Sequence, residues 1–246
     1  MGIVERFRDA VRDVTVLEDA GPAGLPIRLT KACVRVLPVI GAGLSLFSGP
    51  TMRIPVGASD DTAATAERLQ FTVAEGPCFT ANHSGLPVIA PVAAIARRWP
   101  LFHDQLVTRT PIRGIMATPL PGGLTGVGVL DLYVEEAGDL ADINEDRVEA
   151  ITGCIAQALT AEPMFPDLRT ASLMGGPLWL DNPNVRSRGN VMLAMGMLNV
   201  ALGLPMGDAL AALRAHAFTA GGTVDATAFD IVHRTLPTTA LAIDTI

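Results

Sequence analysis

Read from its first residue, the chain passes through short stretches of helical and strand periodicity. Ile3, Phe7, Ala10, Val11 and Val14 fall three to four apart, which predicts a short amphipathic helix, either packed on its own domain or used as a dimer seam. "LPIRLTKACVRVLPVI" repeats the helical pattern. "GAGLSLFSG" alternates Leu44 and Leu46 with small residues. With "TMRIPVGAS" it predicts a hairpin turning at Ser48, Gly49 and Pro50. "DDTAATAERLQFTVAEGPCFTANHSG" reads as helix, loop, helix, and "LPVIAPV" as a short strand. "AAIARRWPLFHDQLVTR" is a helix interrupted at Pro100. "PIRGIMATPLP" and "TGVGVLDLYVEE" are the clearest strands, joined by a turn at Gly122 and Gly123. In the second, Val127, Val129 and Tyr133 point one way, and Gly128, Leu130, Leu132 and Val134 the other. "DINEDRVEAITGCIAQALTAE" is a helix with Asp142 as its cap, Glu145 as box partner, and Val148, Ile151, Ile155 and Leu159 as its apolar stripe. Strands in hairpins without a regular βαβ alternation predict an α+β domain, an antiparallel sheet flanked by helices.

The pattern breaks over residues 161–184, where Pro163, Pro166, Pro177 and Pro183 accompany Gly175 and Gly176. This reads as a linker, although Leu173, Met174, Leu178, Trp179 and Leu180 are apolar enough to dock on something. Beyond it the chain is all-helical. The first helix has one stripe of Val191, Met195, Leu198 and Leu202 and a second of Leu193, Met197, Val200 and Leu204, so burial on most sides is expected. Pro205 opens a second helix with Leu210, Leu213 and Ala217 inward. Gly221 and Gly222 end it. Thr223 caps a third helix with Val224, Ala228 and Ile231 inward. So small a bundle is marginal alone and gains from docking on a partner or on the preceding domain. The divisions are therefore an N-terminal helix over 1–21, a mixed domain over 22–160, a linker over 161–184 and a three-helix bundle over 185–246.

The run between Arg188 and Asp208 has no charge and is long enough to span a bilayer. Asn190, Asn199, Gly196, Gly203 and Pro205 within it, and the lack of flanking aromatic belts, argue against a span. The 246 residues are 49% hydrophobic, which is ample for a core. The net charge of −7 argues against a general nucleic-acid coat and leaves room for a local RNA contact. The N-terminus has no apolar signal region. Cys33, Cys78 and Cys154 are few, odd in number and far apart, which excludes a disulfide framework and a zinc spacing and suits a reducing cytoplasm. Cys78 with His83 is a conceivable nucleophile pair, but no orienting acid stands out, and a buried structural cysteine is the simpler reading. We expect no enzyme activity, cofactor or metal site.

Two stretches carry a family resemblance. "RLQFTVAEGPCFTANHSGLPVIAPVAAIARRWPLF", with Ala74-Glu75-Gly76-Pro77-Cys78 and the later "GVLDLY", resembles the GAF domain of bacterial GAF–ANTAR regulators. Ala194, Met195, Gly196 and Met197, then "ALAALRAHAF" and "AFDIVHRTL", resemble the ANTAR domain. The resemblance implies a PAS-like GAF sensor of a small molecule or partner, followed by a three-helix ANTAR unit. ANTAR domains bind tandem RNA stem-loops in nascent transcripts and prevent termination, usually as dimers. The implied RNA contacts are Arg186 and Arg188 ahead of the first helix, then Ala194, Gly196 and Asn199 on its small face, and Arg214, His216 and Arg234. Met192, Leu193 and Met195 stand where the family is commonly polar. They leave open the alternative of a dimeric GAF sensor or protein-interaction module whose ANTAR part no longer binds RNA.

Overall fold

A computed structural model describes residues 2–17, 22–49, 51–161 and 178–242. Helix α1 (Ile3–Leu17) comes first, and a 3-10 turn (Pro22–Gly24) opens directly into α2 (Leu25–Val36). The hairpin β1 (Gly41–Ser48) and β2 (Met52–Ala58) follows, pairing Ser48 with Met52. Then come α3 (Asp61–Val73), α4 (Pro77–Ser84), β3 (Val88–Pro91), α5 (Val92–Arg98) and α6 (Pro100–Arg109). Strands β4 (Gly114–Pro119) and β5 (Gly128–Val134) and helix α7 (Glu145–Thr160) complete this part. The five strands form one antiparallel sheet in the order β2-β1-β5-β4-β3, as the hairpin reading requires.

The period-two alternation of each strand divides the core between the two sheet faces. Ala42, Leu44 and Leu46 of β1 and Leu130, Leu132 and Val134 of β5 face α1, α2 and α7. Phe47, Val129 and Tyr133 face α3 to α6. Val127 precedes β5 and packs with the first group, opposite to the face expected for it. Phe7, Ala10 and Val14 of α1 are buried against their own domain. The α7 stripe is buried as expected, but its cap is Asn144, whose side chain accepts the Arg147 N–H at 3.0 Å. Asp142 instead ends a short 3-10 helix, Ala137–Asp142, that has its own box of Glu136 and Asp139.

The "AEGPC" element is scaffolding. Ala74 ends α3 at φ 58°, and Gly76, at φ 137°, leaves room for the Gln70 amide. The Glu75 carboxylate accepts the Phe102 N–H at 2.9 Å in the first turn of α6. Pro77 opens α4, and Cys78 behind it is buried.

Helices α8 (Pro183–Leu202), α9 (Met206–Thr219) and α10 (Val224–Val232) make the C-terminal bundle. Asn182 caps α8, so Arg186 and Arg188 lie inside its first two turns and not ahead of it as expected. Gly203 at φ 69° stops α8, and the axis turns by 107° into α9. Val191, Met195 and Leu198 are buried, but Leu193 and Val200 are 54% and 87% exposed. The expectation of burial on most sides thus fails for Leu193 and Val200 of the second stripe, while Met197 and Leu204 are partly buried against the core, because only one side of α8 meets its bundle partners and β2. No single helix among the described residues is long and apolar enough to cross a membrane. Of the linker residues expected to dock, Trp179 is buried in the core, whereas Leu173, Met174 and the turn residue Pro50 lie outside the described residues.

Asp60 caps α3 by accepting the Ala63 N–H at 2.9 Å. Asp60→Ala is expected to lower the unfolding free energy by about 1 kcal/mol in urea titrations.

Candidate functional site

Two clusters of buried charge meet at strand β2. The first lies between the sheet and α3. Arg53 points inward from β2, and all three nitrogens of its guanidinium donate. Nη1 donates to the Glu67 carbonyl at 2.7 Å, and Nη2 to Glu67 Oε2 at 2.5 Å and Asp131 Oδ2 at 2.9 Å. Nε donates to the Cys78 sulfur at 3.1 Å. Gln70 donates to Asp131 Oδ2 at 2.9 Å, Ser45 to Glu67 Oε2 at 2.6 Å, and the Tyr133 hydroxyl to Glu67 Oε1. Gly43 makes space for this: a Cβ there would stand 2.1 Å from the Glu67 carboxylate.

Burial, and then the repulsion of Glu67, push the Asp131 carboxyl up to about 7 against the pull of Arg53 and Gln70. Burial raises the Cys78 thiol well above its ordinary value, which Arg53 only partly opposes, so Cys78 is a thiol and no activated nucleophile. Burial works against the charge of Arg53 too, but the paired Glu67 and Asp131 carboxyls outweigh it and hold the guanidinium protonated. Sequence reasoning missed Arg53, Glu67 and Asp131. The available signal was an isolated charge in an apolar strand, with Asp131 falling on the same face as Val129 and Tyr133.

The second cluster joins the bundle to the sheet. Arg188 is 1% exposed. Its Nε donates to the backbone carbonyl of Arg53 at 2.8 Å, its Nη1 pairs with Asp225 of α10, and its guanidinium lies 3.6 Å from the Phe71 ring centroid. Ser187 adds a hydrogen bond to Asp225 at 2.6 Å. Arg214, half-buried, donates to the carbonyls of Phe71 at 3.1 Å and Thr51 at 3.0 Å. Asn182 donates to the Val56 carbonyl at 3.3 Å, and Thr72 accepts the Val224 N–H at 3.2 Å. Burial lowers the pKa of Arg188 while Asp225 raises it; burial and then the charge of Arg188 lower Arg214 to about 10. A cavity of about 30 Å³, the size of one water, lies between Glu67 and Asp225.

The eight residues implied as RNA contacts do not share one surface. Arg188 and Arg214 face the sheet, and Ala194 is in the bundle core. Gly196 is half-buried. Asn199 is exposed but holds the turn into α9, donating to the Leu204 carbonyl at 2.7 Å. His216 is half-buried near the end of α9. Arg186 is exposed beside Asp181 at 3.3 Å, and Arg234, exposed at φ 61°, follows α10. His83 is exposed and far less buried than Cys78, and among the described residues no group of His, Cys, Asp and Glu could hold a metal ion.

No protein-family profile matches the sequence, and no curated protein matches it. Solved structures do show likeness. The chain is similar to the GAF domain of a phosphoenolpyruvate-protein phosphotransferase from Coxiella burnetii, at 13% identity and a TM-score of 0.43, over 70% of this chain and 98% of that one. It is similar to the A. aeolicus nlh2 GAF domain in an inactive state, at 14% identity and a TM-score of 0.43, over 65% and 99%. It is also similar to free methionine-R-sulfoxide reductase from Neisseria meningitidis, at 14% identity and a TM-score of 0.41, over 65% and 92%.

Removing Arg188 strands the buried Asp225 carboxylate and the Arg53 carbonyl. Arg188→Met is expected to cost about 3–5 kcal/mol in urea unfolding, and Arg188→Met with Asp225→Leu to cost less than the single change. Asp131 gives a pH signature. Its folded pKa stands above its unfolded value of about 3.9, so the folded state binds the extra proton. Its contribution to stability is complete below pH about 4 and is lost as pH rises through about 7. Asp131→Asn is expected to flatten the fall in stability between those limits, measured as urea midpoints across pH.

Proposed function

We propose that the chain is a GAF-type signal-sensing module that works through protein contacts. Its ANTAR-like bundle is a docked part of the sensor and does not act as an RNA arm. The observation that carries this reading is the use of Arg188 and Arg214. Both donate to backbone carbonyls of the β1–β2 hairpin and α3, and neither is presented for phosphate. Phosphate contacts dominate nucleic-acid affinity. The other two arginines of the bundle, Arg186 and Arg234, sit at its two chain ends.

The partner we assign is a second copy of the chain, meeting along the outer stripe of α8. Gly189, Leu193, Gly196, Val200 and Gly203 alternate four and three apart, the spacing of a helix–helix seam. The seam carries no charge, so like meets like without repulsion. A Cβ at Gly189 or Gly196 would meet nothing within 4 Å, so packing within the chain does not require these glycines. Close approach of a second helix does.

A second reading is supported by the exposure of Arg186, Asn199 and Arg234: an antitermination regulator that binds tandem stem-loops after its bundle undocks. One experiment separates the two. Wild type and Arg188→Met are titrated with a tandem stem-loop RNA and its scrambled form in gel shifts, and light scattering gives their masses. The module reading expects no preference for the stem-loops in either protein, and a dimer that Val200→Glu splits. Stem-loop preference appearing in Arg188→Met would establish the antitermination reading instead. A wild-type monomer would overturn the seam.

A further inference from the structure

A groove of about 640 Å³ is lined by the N-terminal half of α7 and by residues of β4. That volume suits a small organic ligand, for which sites of about 300–1,000 Å³ are typical. It lies on the opposite sheet face from the Arg53 network and apart from the bundle, so what it binds is independent of the proposed function. Met116 and Val148, both buried, give it an apolar floor, and Pro87 and Pro119 add apolar walls. Glu145, Asp146 and Glu149 stand exposed along it, and none of its lining residues is basic.

Two features of this groove have no explanation in the chain's own packing. Thr118 is 7% exposed, and its hydroxyl has no hydrogen-bond partner. Strand alternation puts Thr118 on the side of Met116, toward α7 and the groove, while Ala117 faces the other core. A buried hydroxyl left unpaired is unfavourable, and a ligand atom in reach would supply the missing bond. The second feature is Gly153, in the middle of α7 and lining the groove. A Cβ there would meet nothing within 4 Å. Alanine would favour the helix, so the glycine is held against propensity at the place where a Cβ would project beside the groove. Glu145 and Asp146 also suit the positive end of the α7 dipole, but Glu149 lies a turn beyond it.

We propose that this groove binds a small organic cation. Its apolar body rests on Met116, Val148 and the prolines. Its ammonium group sits among Glu145, Asp146 and Glu149, and a polar atom reaches the Thr118 hydroxyl. The test uses the full chain with three probes that share an indole ring: tryptamine, the neutral tryptophol, and indole-3-acetate. Binding is followed by calorimetry and by amide shifts at Gly85, Thr118 and Gly153. Tryptamine is expected to saturate at millimolar concentration or below, at least about tenfold more tightly than indole-3-acetate, with tryptophol between them. Glu145→Gln with Glu149→Gln is expected to weaken tryptamine at least about tenfold and erase its advantage over tryptophol. Gly153→Leu, which stays folded as a better helix former, is expected to abolish binding of all three. No saturable tryptamine binding, equal binding of tryptamine and indole-3-acetate, or unchanged binding in Gly153→Leu would each overturn the proposal.

Discussion

Strand β2 ends the sheet, and an edge strand presents a row of carbonyls and N–H groups that something has to satisfy. Here the cover is a helical bundle, and a helix has no free backbone donors along its side. Side chains supply them instead. Asn182 reaches Val56, Arg188 reaches Arg53, and Arg214 reaches Thr51 just before the strand. Arginine suits this work because its fork offers several donors on one rigid plane. Its charge then needs an answer in a place water does not reach. Asp225 supplies it from α10, and the Phe71 ring supplies a favourable face. The positions of α8 and α10 therefore follow from how one strand edge is closed.

Arg53 links the edge to the interior. Its carbonyl takes Arg188, and its side chain passes to the other side of the strand to hold Glu67 and Asp131. Two carboxylates on one guanidinium leave an excess negative charge in a dry site, and the system removes it by holding a proton on Asp131 to about neutral pH. A shift in that proton changes the charge balance around the residue whose backbone anchors the bundle. The two clusters are physically contiguous, which is the minimum that communication between them requires.

Almost every helix and strand was legible because each rests on a local pattern: the α7 stripe, the β1–β2 hairpin, the break at Pro100, and the Thr223 cap of α10. The α7 cap was misplaced by two residues because Asp142 and Asn144 are equally good caps, and only the preceding 3-10 turn decides between them. The buried charges were not legible as a cluster. Arg53 and Asp131 lie 78 residues apart, and nothing in either strand says that the other is opposite. Arg188 and Arg214 fail for a different reason. An arginine aimed at phosphate and one aimed at a carbonyl are the same letter, and the resemblance to an RNA-binding bundle favoured the first. The apolar outer stripe of α8 was read as core because periodicity reports apolar faces without saying which of them are covered.

The docked arginines also set a limit on any RNA activity the bundle could have. Undocking returns Arg188, Asp225 and the edge carbonyls to water, but it also exposes the apolar surface buried between the bundle and the sheet, which is unfavourable. At about 1.4 kcal/mol per factor of ten, an undocking cost of about 4 kcal/mol would keep the open form near one molecule in a thousand. RNA that binds only the open form then shows an affinity weakened by that fraction. With two outlying arginines left to supply phosphate contacts in the closed form, it has little with which to bind that form first. A signal that opened the joint would have to discriminate between the two forms by the same few kcal/mol, and the buried Arg53 network is the structure adjacent to the joint through which such a signal could act. A second copy of the chain on the outer stripe of α8 faces no such barrier, because that stripe is already exposed in the docked form.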